Sequence, residues 1–323
     1  MSAPVLHVAG LIRHFTQKKG FPNPVTITVR AVDGVSFDVA EGEAFGLVGE
    51  SGCGKSTVAR AALRLIEPDQ GTVRFRDTDV RAARGPGLKA LRRKLQMVFQ
   101  DPYSSLNPRR RIAATLTEPM AVHGIMRGRA ARERAGQLLE EVGLPPAALD
   151  RFPHEFSGGQ RQRLGIARAL SVEPELLVAD EPVSALDVSV QAQVLVLLRD
   201  LQQRRGLSFL FVSHDLAVVR WFCSRLAVMY LGRIVEQGPV VEVFREPLHP
   251  YTRVLRDASP SPDPGLRAQL PRIEGEIPSA ANPPPGCHFH ARCPHVMPIC
   301  RTQYPSFRDM GGGRQVACHL YDN

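Results

Sequence analysis

The chain has 323 residues, enough for one large α/β domain with a smaller piece or for two modest domains. It has neither an apolar run of about 18 residues nor a basic-then-apolar N-terminal segment. This argues against a spanning helix and a secretory signal and predicts a cytoplasmic protein. The formal net charge is +9, but the basic residues are scattered and mostly arginine, so we expect no binding to nucleic acid.

Apolar runs alternate with helix-like patterns up to about residue 246. The predicted strands are Ala44–Val48, Gln96–Phe99, Leu176–Asp180, Ser208–Ser213 and Leu226–Tyr230. The predicted helices are Ser56–Ile66, Ala130–Val142, Val188–Arg204 and Asp215–Cys223. This alternation predicts an α/β fold with a largely parallel sheet. Residues 101–170 have no convincing strand pattern, so we predict a helical insert there.

Beyond Pro247 the pattern changes. The segment Pro260–Gly286 is rich in proline and lacks periodicity, which predicts an irregular linker. Four of the six cysteines follow it or lie near its end. We therefore predict a main domain at 1–246, with a helical subdomain at about 101–170, and a small irregular C-terminal extension at 247–323.

Residues 49–56 fit the phosphate-loop pattern G-x-x-x-x-G-K-[ST] without a departure. Glycines let backbone N–H groups turn toward phosphate oxygens, and a helix starting near Ser56 adds the positive end of its dipole. Lys55 can reach the β- and γ-phosphates, and Ser56 can ligate Mg²⁺. The alternative is a chance match in a glycine-rich turn, but a strand before and a helix after are the context the motif requires. The predicted nucleotide-binding residues are Gly49, Glu50, Ser51, Gly52, Cys53, Gly54, Lys55, Ser56 and Thr57.

The strand Leu176–Asp180 is followed by a second carboxylate, Glu181. Asp180 is suited to hold Mg²⁺ directly or through water, and Glu181 to orient or deprotonate an attacking water. A strand ending in two carboxylates is, by itself, more often a surface turn. Together with the phosphate loop it indicates hydrolysis of a nucleotide.

Ser157 is followed by two glycines and a predicted helix start. Such a helix N-terminus can bind an anion or can simply be capped by the serine. The run Ser157–Arg161 resembles the signature motif of ABC ATPases. Two further family motifs follow in the expected order along the chain. Ser184–Asp187 resembles the loop that contacts the opposing subunit, and His214 resembles the switch histidine at the γ-phosphate.

This resemblance covers about residues 5–246 and implies the phosphate-loop NTPase core of an ABC ATPase with an inserted helical subdomain. It implies catalytic roles for Glu181, His214 and Gln100. It also implies that Ser56, Gln100 and Asp180 coordinate Mg²⁺. In this family one ATP is held between the phosphate loop of one subunit and the signature motif of another.

The resemblance also adds residues to the nucleotide site. The signature residues implied are Ser157, Gly158, Gly159 and Gln160. Phe15 occupies roughly the place of the aromatic that stacks on adenine, although the insert Thr16–Arg30 follows it and ordinary core packing is the alternative.

Two local stretches, Gln100–Pro108 and His249–Thr252, resemble the ATPases of dipeptide and oligopeptide importers. Such importers usually carry two paralogous ATPases, and the chain is more similar to the second of them. The resemblance implies a paralogous ATPase in a heterodimer, two permeases and an extracytoplasmic solute-binding protein, with the chain at the cytoplasmic face of the membrane. A membrane coupling helix would bind near Gln100–Tyr103 and the helical insert.

Other functions are open alternatives. Importers of nickel and glutathione have similar ATPases, and exporter ATPases share the catalytic motifs. A soluble ABC ATPase acting on nucleic acid usually carries two cassettes, whereas this chain has one. The intact motif residues argue against a non-enzymatic regulatory subunit.

The C-terminal cysteines have the spacing C-x5-C-x6-C-x17-C at Cys287, Cys293, Cys300 and Cys318. Four thiolates suit Zn²⁺ or an iron–sulfur cluster. Histidines lie nearby at positions 288, 290, 295 and 319, so a mixed zinc site or unmetallated thiols are alternatives. Similar extensions in peptide-importer ATPases imply a [4Fe–4S] cluster. We expect Cys53 and Cys223 not to be ligands.

Overall fold

The computed structural model describes residues 4–20, 22, 25–101, 103, 105–258 and 278–322. The predictions made for Pro102, for Ser104 and for the part of the linker at 260–277 lie outside these residues.

The chain forms strands and helices throughout these ranges. The strands are β1 (Leu6–Lys19), β2 (Val25–Val39), β3 (Ala44–Val48), β4 (Gln70–Phe75), β5 (Thr78–Asp79), β6 (Leu95–Val98), β7 (Leu176–Asp180), β8 (Ser208–Ser213), β9 (Arg225–Tyr230), β10 (Arg233–Pro239), β11 (Phe307–Asp309) and β12 (Gln315–Ala317). The α-helices are α1 (Lys55–Ala62), α2 (Gly85–Lys94), α3 (Ile112–Val122), α4 (Gly128–Glu141), α5 (Gly158–Leu170), α6 (Val188–Arg205), α7 (Leu216–Phe222), α8 (Val240–Arg245) and α9 (Pro250–Asp257). Short 3₁₀ turns lie at Pro146–Asp150, Pro153–Glu155, His290–Arg292, Pro298–Arg301 and His319–Tyr321.

The strands predicted from apolar runs are all present. β3, β7 and β8 have the predicted bounds, while β6 and β9 each begin one residue earlier. The predicted helices are present as well, but α1 ends at Ala62 rather than at Ile66. The reason is local, because Arg64 adopts a φ of +51°, which a continuing right-handed helix does not allow.

The sequence pattern did not predict β1 or β2. In β2, Val35, Phe37 and Val39 point inward and alternate with more exposed residues, as expected for a strand with one buried face. Gly34 has a φ of +82° and shifts this alternation relative to the buried Val32. The interruption breaks the two-residue period and hides the strand from a search for regular alternation.

The first of two compact units contains Val39–Glu43 and Phe75–Val212 together with the N-terminal residues to Val5. In it β6, β7 and β8 run parallel, with Leu95 opposite Leu176 and Leu176 opposite Ser208. Between β6 and β7 the described residues form the helices α3, α4 and α5 and no strand. These helices occupy the region in which the helical insert is predicted.

The second unit contains Leu6–Asp38, Ala44–Arg74 and Ser213–Asn323. Its strands follow the order β11-β12-β10-β9-β3, in which β3 and β9 are parallel and the other neighbours antiparallel. The C-terminal extension therefore adds β12 to the edge of β10, with Val316 opposite Glu236. In a further sheet β1 lies between β2 and β4.

The 18-residue helix α6 has one buried side. Val194, Leu198 and Leu201 are buried, while Arg204 and Arg205 lie in its last turn, where positive charge complements the helix dipole. In the part of the chain that the structure describes, none of the helices combines the length and the apolar character that a membrane crossing requires.

Candidate functional site

The predicted phosphate loop connects β3 to α1 in the second unit, and its backbone requires glycine at two positions. Gly54 has a φ of +109°, and a Cβ there would lie 1.9 Å from the carbonyl oxygen of Ala31. At Gly49, with a φ of +155°, a Cβ would lie 2.2 Å from the carbonyl oxygen of Met229. Both obstacles are backbone atoms, so any side chain at these positions would displace the loop.

Lys55 begins α1 and is only 4% exposed. Its Nζ donates hydrogen bonds to the carbonyl oxygens of Gly49 at 2.7 Å and Glu50 at 2.9 Å. The preceding Gly54 makes no side-chain cap, so the N-terminus of α1 is not closed by a side chain. A buried ammonium beside an uncapped helix N-terminus is an arrangement suited to phosphate.

The predicted catalytic pair Gln100 and Glu181 meets in the first unit. Nε2 of Gln100 donates a hydrogen bond of 3.0 Å to the Glu181 carboxylate. Glu181 adopts a φ of +46°, an unfavourable region for a glutamate, and its N–H donates to the carbonyl of Val212 at 2.9 Å. Asp180 precedes it at the end of β7 and is buried. Strain of this kind is frequent at functional sites because the surrounding structure holds the residue in place.

Ser157 is the N-cap of α5. Its hydroxyl accepts from the N–H of Gln160 at 3.4 Å, and the Gln160 side chain accepts from the N–H of Ser157 at 3.0 Å. Gly159 lies where a Cβ would be 2.3 Å from the Val190 side chain, so it permits close packing of α5 on α6. Ser157 and Gln160 are nevertheless exposed. Ser157 therefore caps α5, and the exposed N-terminus of this helix remains accessible to a second molecule.

The loop Ser184–Asp187 begins three residues after Glu181. The Ser184 hydroxyl donates to the Glu181 carbonyl at 3.1 Å, and Asp187 caps α6 by accepting from the N–H of Val190 at 3.0 Å. A hydrogen bond from the Ser189 hydroxyl, with that backbone N–H, lowers the pKa of Asp187. The loop is thus hydrogen-bonded to the backbone of Glu181.

Two residues of the second unit that are predicted to contact ATP lie at the surface. His214 follows β8 and is exposed. Phe15 is 39% exposed, and the Arg13 guanidinium lies 4.8 Å from its ring centre. This exposure is unlike that of a core aromatic, whereas stacking on adenine stays a prediction.

The four C-terminal cysteines gather in one region. The N–H of Cys287 donates to the Cys300 carbonyl at 2.8 Å. Burial and the neighbouring thiols raise the pKa of Cys287 to about 12 and that of Cys318 to about 11. Still, the described residues contain no group of three or more His, Cys, Asp or Glu placed to hold a metal ion. The [4Fe–4S] cluster therefore gains no support from this arrangement and stays a prediction.

Two of the four nearby histidines make hydrogen bonds to other groups. His290 bonds through Nδ1 to the carbonyl of Cys287 at 2.8 Å. His319 contacts the Asp322 carboxylate and, through Nε2, the carbonyl of Gln303 at 2.9 Å. The mixed Cys/His zinc alternative gains no support from these positions.

Sequence reasoning missed two residues at the phosphate loop. The hydroxyl of Tyr251 accepts from the N–H of Glu50 at 2.9 Å, and the Arg292 guanidinium forms an ion pair with the Glu50 carboxylate at 3.2 Å. Tyr251 belongs to the stretch His249–Thr252, whose sequence resembles that of peptide-importer ATPases but does not itself indicate a contact with the phosphate loop. Arg292 had no local signal, because 242 positions separate it from Glu50.

Residues 32–184 match the family model described as ABC transporter. Residues 235–300 match the one described as oligopeptide/dipeptide transporter, C-terminal region. The chain is 47% identical to the oligopeptide transport ATP-binding protein AppF of Bacillus subtilis, over 98% of this chain and 97% of that protein. It is 52% identical to YkfD of the same organism, provisionally named an oligopeptide transport ATP-binding protein, over 99% of this chain and 96% of that protein.

Two solved structures are similar in fold. That of cbiO1 from Clostridium perfringens, part of the ABC transporter complex cbiONQ, aligns with a TM-score of 0.64 at 27% identity, covering 76% of this chain and 92% of that one. The dimeric post-hydrolysis structure of the ATP-binding cassette MJ0796, bound to ADP and Pi, aligns with a TM-score of 0.63 at 28% identity, covering 73% of this chain and 98% of that one.

The shape of the loop can be tested by the substitution Gly54→Ala. The new Cβ would overlap the Ala31 carbonyl, so we expect binding of a fluorescent ATP analogue with Mg²⁺ to weaken by about tenfold or more, or roughly 1.4 kcal/mol. Fluorescence anisotropy of the full-length protein measures this directly.

The matched control is Gly52→Ala, since Gly52 also has a positive φ of +80° but a Cβ there would meet nothing within 4 Å. It carries backbone strain of about 1–2 kcal/mol without the overlap and should bind the analogue more tightly than Gly54→Ala. Equal binding by Gly54→Ala and the wild type would refute the constraint.

Proposed function

The chain belongs to the ABC transporter family, among the ATP-binding proteins of peptide transporters, and on this premise we propose that it hydrolyses ATP to power a di- and oligopeptide importer. The observation that carries the proposal is the likeness to peptide-transport relatives over nearly the whole chain, including the C-terminal region. The relatives' names favour peptides over nickel or glutathione as the solute, and transport over an action on nucleic acid.

We assign the chemistry to the motif residues. Lys55 binds the β- and γ-phosphates, while Ser56, Gln100 and Asp180 hold Mg²⁺, which neutralises the developing charge. Glu181 orients or deprotonates the attacking water, and its hydrogen bond with Gln100 fixes the direction of its carboxylate.

The other site residues complete the contacts with ATP. His214 contacts the γ-phosphate, and Phe15 stacks on adenine. Backbone N–H groups of the loop and the N-terminus of α1 surround the phosphates. The burial of Lys55 supports this assignment, since its ammonium already lies inside the loop.

A second ATPase subunit completes the site in this proposal. Ser157 and Gln160 are exposed at the start of α5, where the backbone of Gly158 and Gly159 can approach ATP bound to a partner. The partner is a paralogous ATPase, and the pair associates peripherally with two permeases at the cytoplasmic face, supplied by an extracytoplasmic solute-binding protein.

The permeases would bind near Gln100, Asp101 and the helical insert. Tyr103 is 62% exposed there, and the Arg161 guanidinium lies 4.0 Å from its ring centre. Because Arg161 belongs to the helix that starts at the signature motif, a force on Tyr103 would reach that helix directly. This contact supports a coupling role for the region.

The role of Glu181 is tested by Glu181→Gln in the assembled complex. The amide cannot accept a proton, so ATP turnover should fall by about 10²–10⁴-fold while ATP binding persists and a closed dimer accumulates. Turnover is measured by phosphate release and dimerisation by size-exclusion chromatography with ATP. The control Glu173→Gln removes an exposed carboxylate paired only at the surface with Arg93 and should leave turnover unchanged. Undiminished turnover in Glu181→Gln would contradict the assignment.

The cysteine cluster carries a second proposal, in which Cys287, Cys293, Cys300 and Cys318 hold a [4Fe–4S] cluster of structural role. The closeness of the thiols supports it, although their side chains would have to turn toward a common centre and lose their protons. The other ring contacts of His290 and His319 make these two histidines poorly placed as additional ligands.

Protein purified without oxygen should contain iron and sulfide and show the thiolate-to-iron absorption band. Cys300→Ser should reduce the iron content to background because it removes one thiolate, whereas Cys223→Ser, at a buried cysteine outside the cluster, should retain it. Stoichiometric zinc in place of iron, or no metal at all, would refute the iron–sulfur assignment.

A further inference from the structure

Arg292 of the C-terminal extension contacts the phosphate loop. The two Nη atoms of Arg292 donate to the two carboxylate oxygens of Glu50 at 3.2 and 3.3 Å, in the two-pronged geometry that arginine forms with carboxylates. The Arg292 side chain is 5% exposed and that of Glu50 is 20% exposed. An ion pair this well shielded is more strongly coupled than one on the surface.

A second contact holds the backbone of the same residue. The N–H of Glu50 donates to the hydroxyl of Tyr251, which is fully buried in α9. The ring centre of Tyr251 lies 4.6 Å from that of Tyr230 and 5.4 Å from that of Phe289. The hydroxyl of Tyr230 in turn accepts from Arg292 at 3.4 Å. Side chain and backbone of Glu50 are thus fixed by one buried cluster.

The segment that carries Tyr251 is held in place by Glu236 and by later residues of the extension. The buried carboxylate of Glu236 accepts from the N–H groups of Leu248 at 3.0 Å and His249 at 2.9 Å. Arg314 of the extension donates to Glu236 at 3.5 Å, and Tyr321 donates to the carbonyl of Leu248 at 3.0 Å. The position of Tyr251 therefore depends on residues near the end of the chain.

The negative charge of Glu50 matters for the binding of a nucleotide. An unpaired carboxylate in a loop that receives a triphosphate would repel the ligand, and Arg292 cancels this charge. We propose that Arg292 and Tyr251 are positioning residues of the phosphate loop, the first neutralising the Glu50 carboxylate and the second holding the Glu50 backbone in the conformation that binds nucleotide. The inference rests on the proposed ATP binding, because it names residues that prepare that same site.

The alternative role of Arg292 is only to anchor the extension, and a charge-matched set of variants separates the two. Affinity for MgATP is measured by titration calorimetry on the full-length protein, together with the melting temperature. Arg292→Ala leaves the Glu50 carboxylate unpaired and should weaken MgATP binding by about tenfold. Adding Glu50→Gln to Arg292→Ala removes the uncompensated charge and should restore affinity to within about threefold of the wild type.

Two further variants and a control complete the set. Arg292→Lys keeps the positive charge and should bind more tightly than Arg292→Ala, and Tyr251→Phe, which leaves the Glu50 N–H without its acceptor, should weaken binding by about threefold. Arg301→Ala removes an exposed arginine of the same extension and should change nothing.

Affinity within twofold of the wild type in Arg292→Ala would overturn the proposal. So would equal weakening in Arg292→Ala and the double variant with a parallel loss of melting temperature, since that pattern belongs to an anchor. Wild-type protein that binds no MgATP would refute the proposed function and this inference together, whereas normal wild-type binding with an unaffected Arg292→Ala refutes the inference alone.

Discussion

The buried ammonium of Lys55 rests on the carbonyl oxygens of Gly49 and Glu50, and the phosphate loop is built around this contact. A buried charge without such partners would carry a large desolvation penalty. The carbonyls and N–H groups can take these directions because Gly49 and Gly54 have backbone angles and clearances that only glycine allows. The strands behind the loop set those clearances, so the fold of the second unit determines the geometry of the phosphate site.

Much of this could be predicted because it is local in sequence. Fully buried strands such as β3, β7 and β8 are short apolar runs, and the phosphate loop is a contiguous pattern. The long strands β1 and β2 were not predicted because both are partly exposed and because Gly34 interrupts the alternation in β2. Likewise, the positive φ of Glu181 is imposed by its surroundings, so its own residue type gives no sign of it.

Other features depend on contacts between distant segments, which a single sequence does not specify. The ion pair of Arg292 with Glu50 and the hydroxyl of Tyr251 at the same residue arise only once the extension has packed on the second unit. The cysteine spacing does not specify the directions of the thiol side chains, so a metal cluster at these cysteines stays a prediction. The extension, predicted to be irregular, also pairs two short strands beside β10.

We propose that ATP hydrolysis by this chain drives peptide uptake. The most direct measurement is ATP turnover and peptide accumulation in vesicles that hold the ATPase pair and both permeases, with the solute-binding protein outside the membrane. We expect peptide to stimulate turnover and Lys55→Ala to abolish both turnover and accumulation. Peptide accumulation at the wild-type rate in vesicles with Lys55→Ala would contradict it.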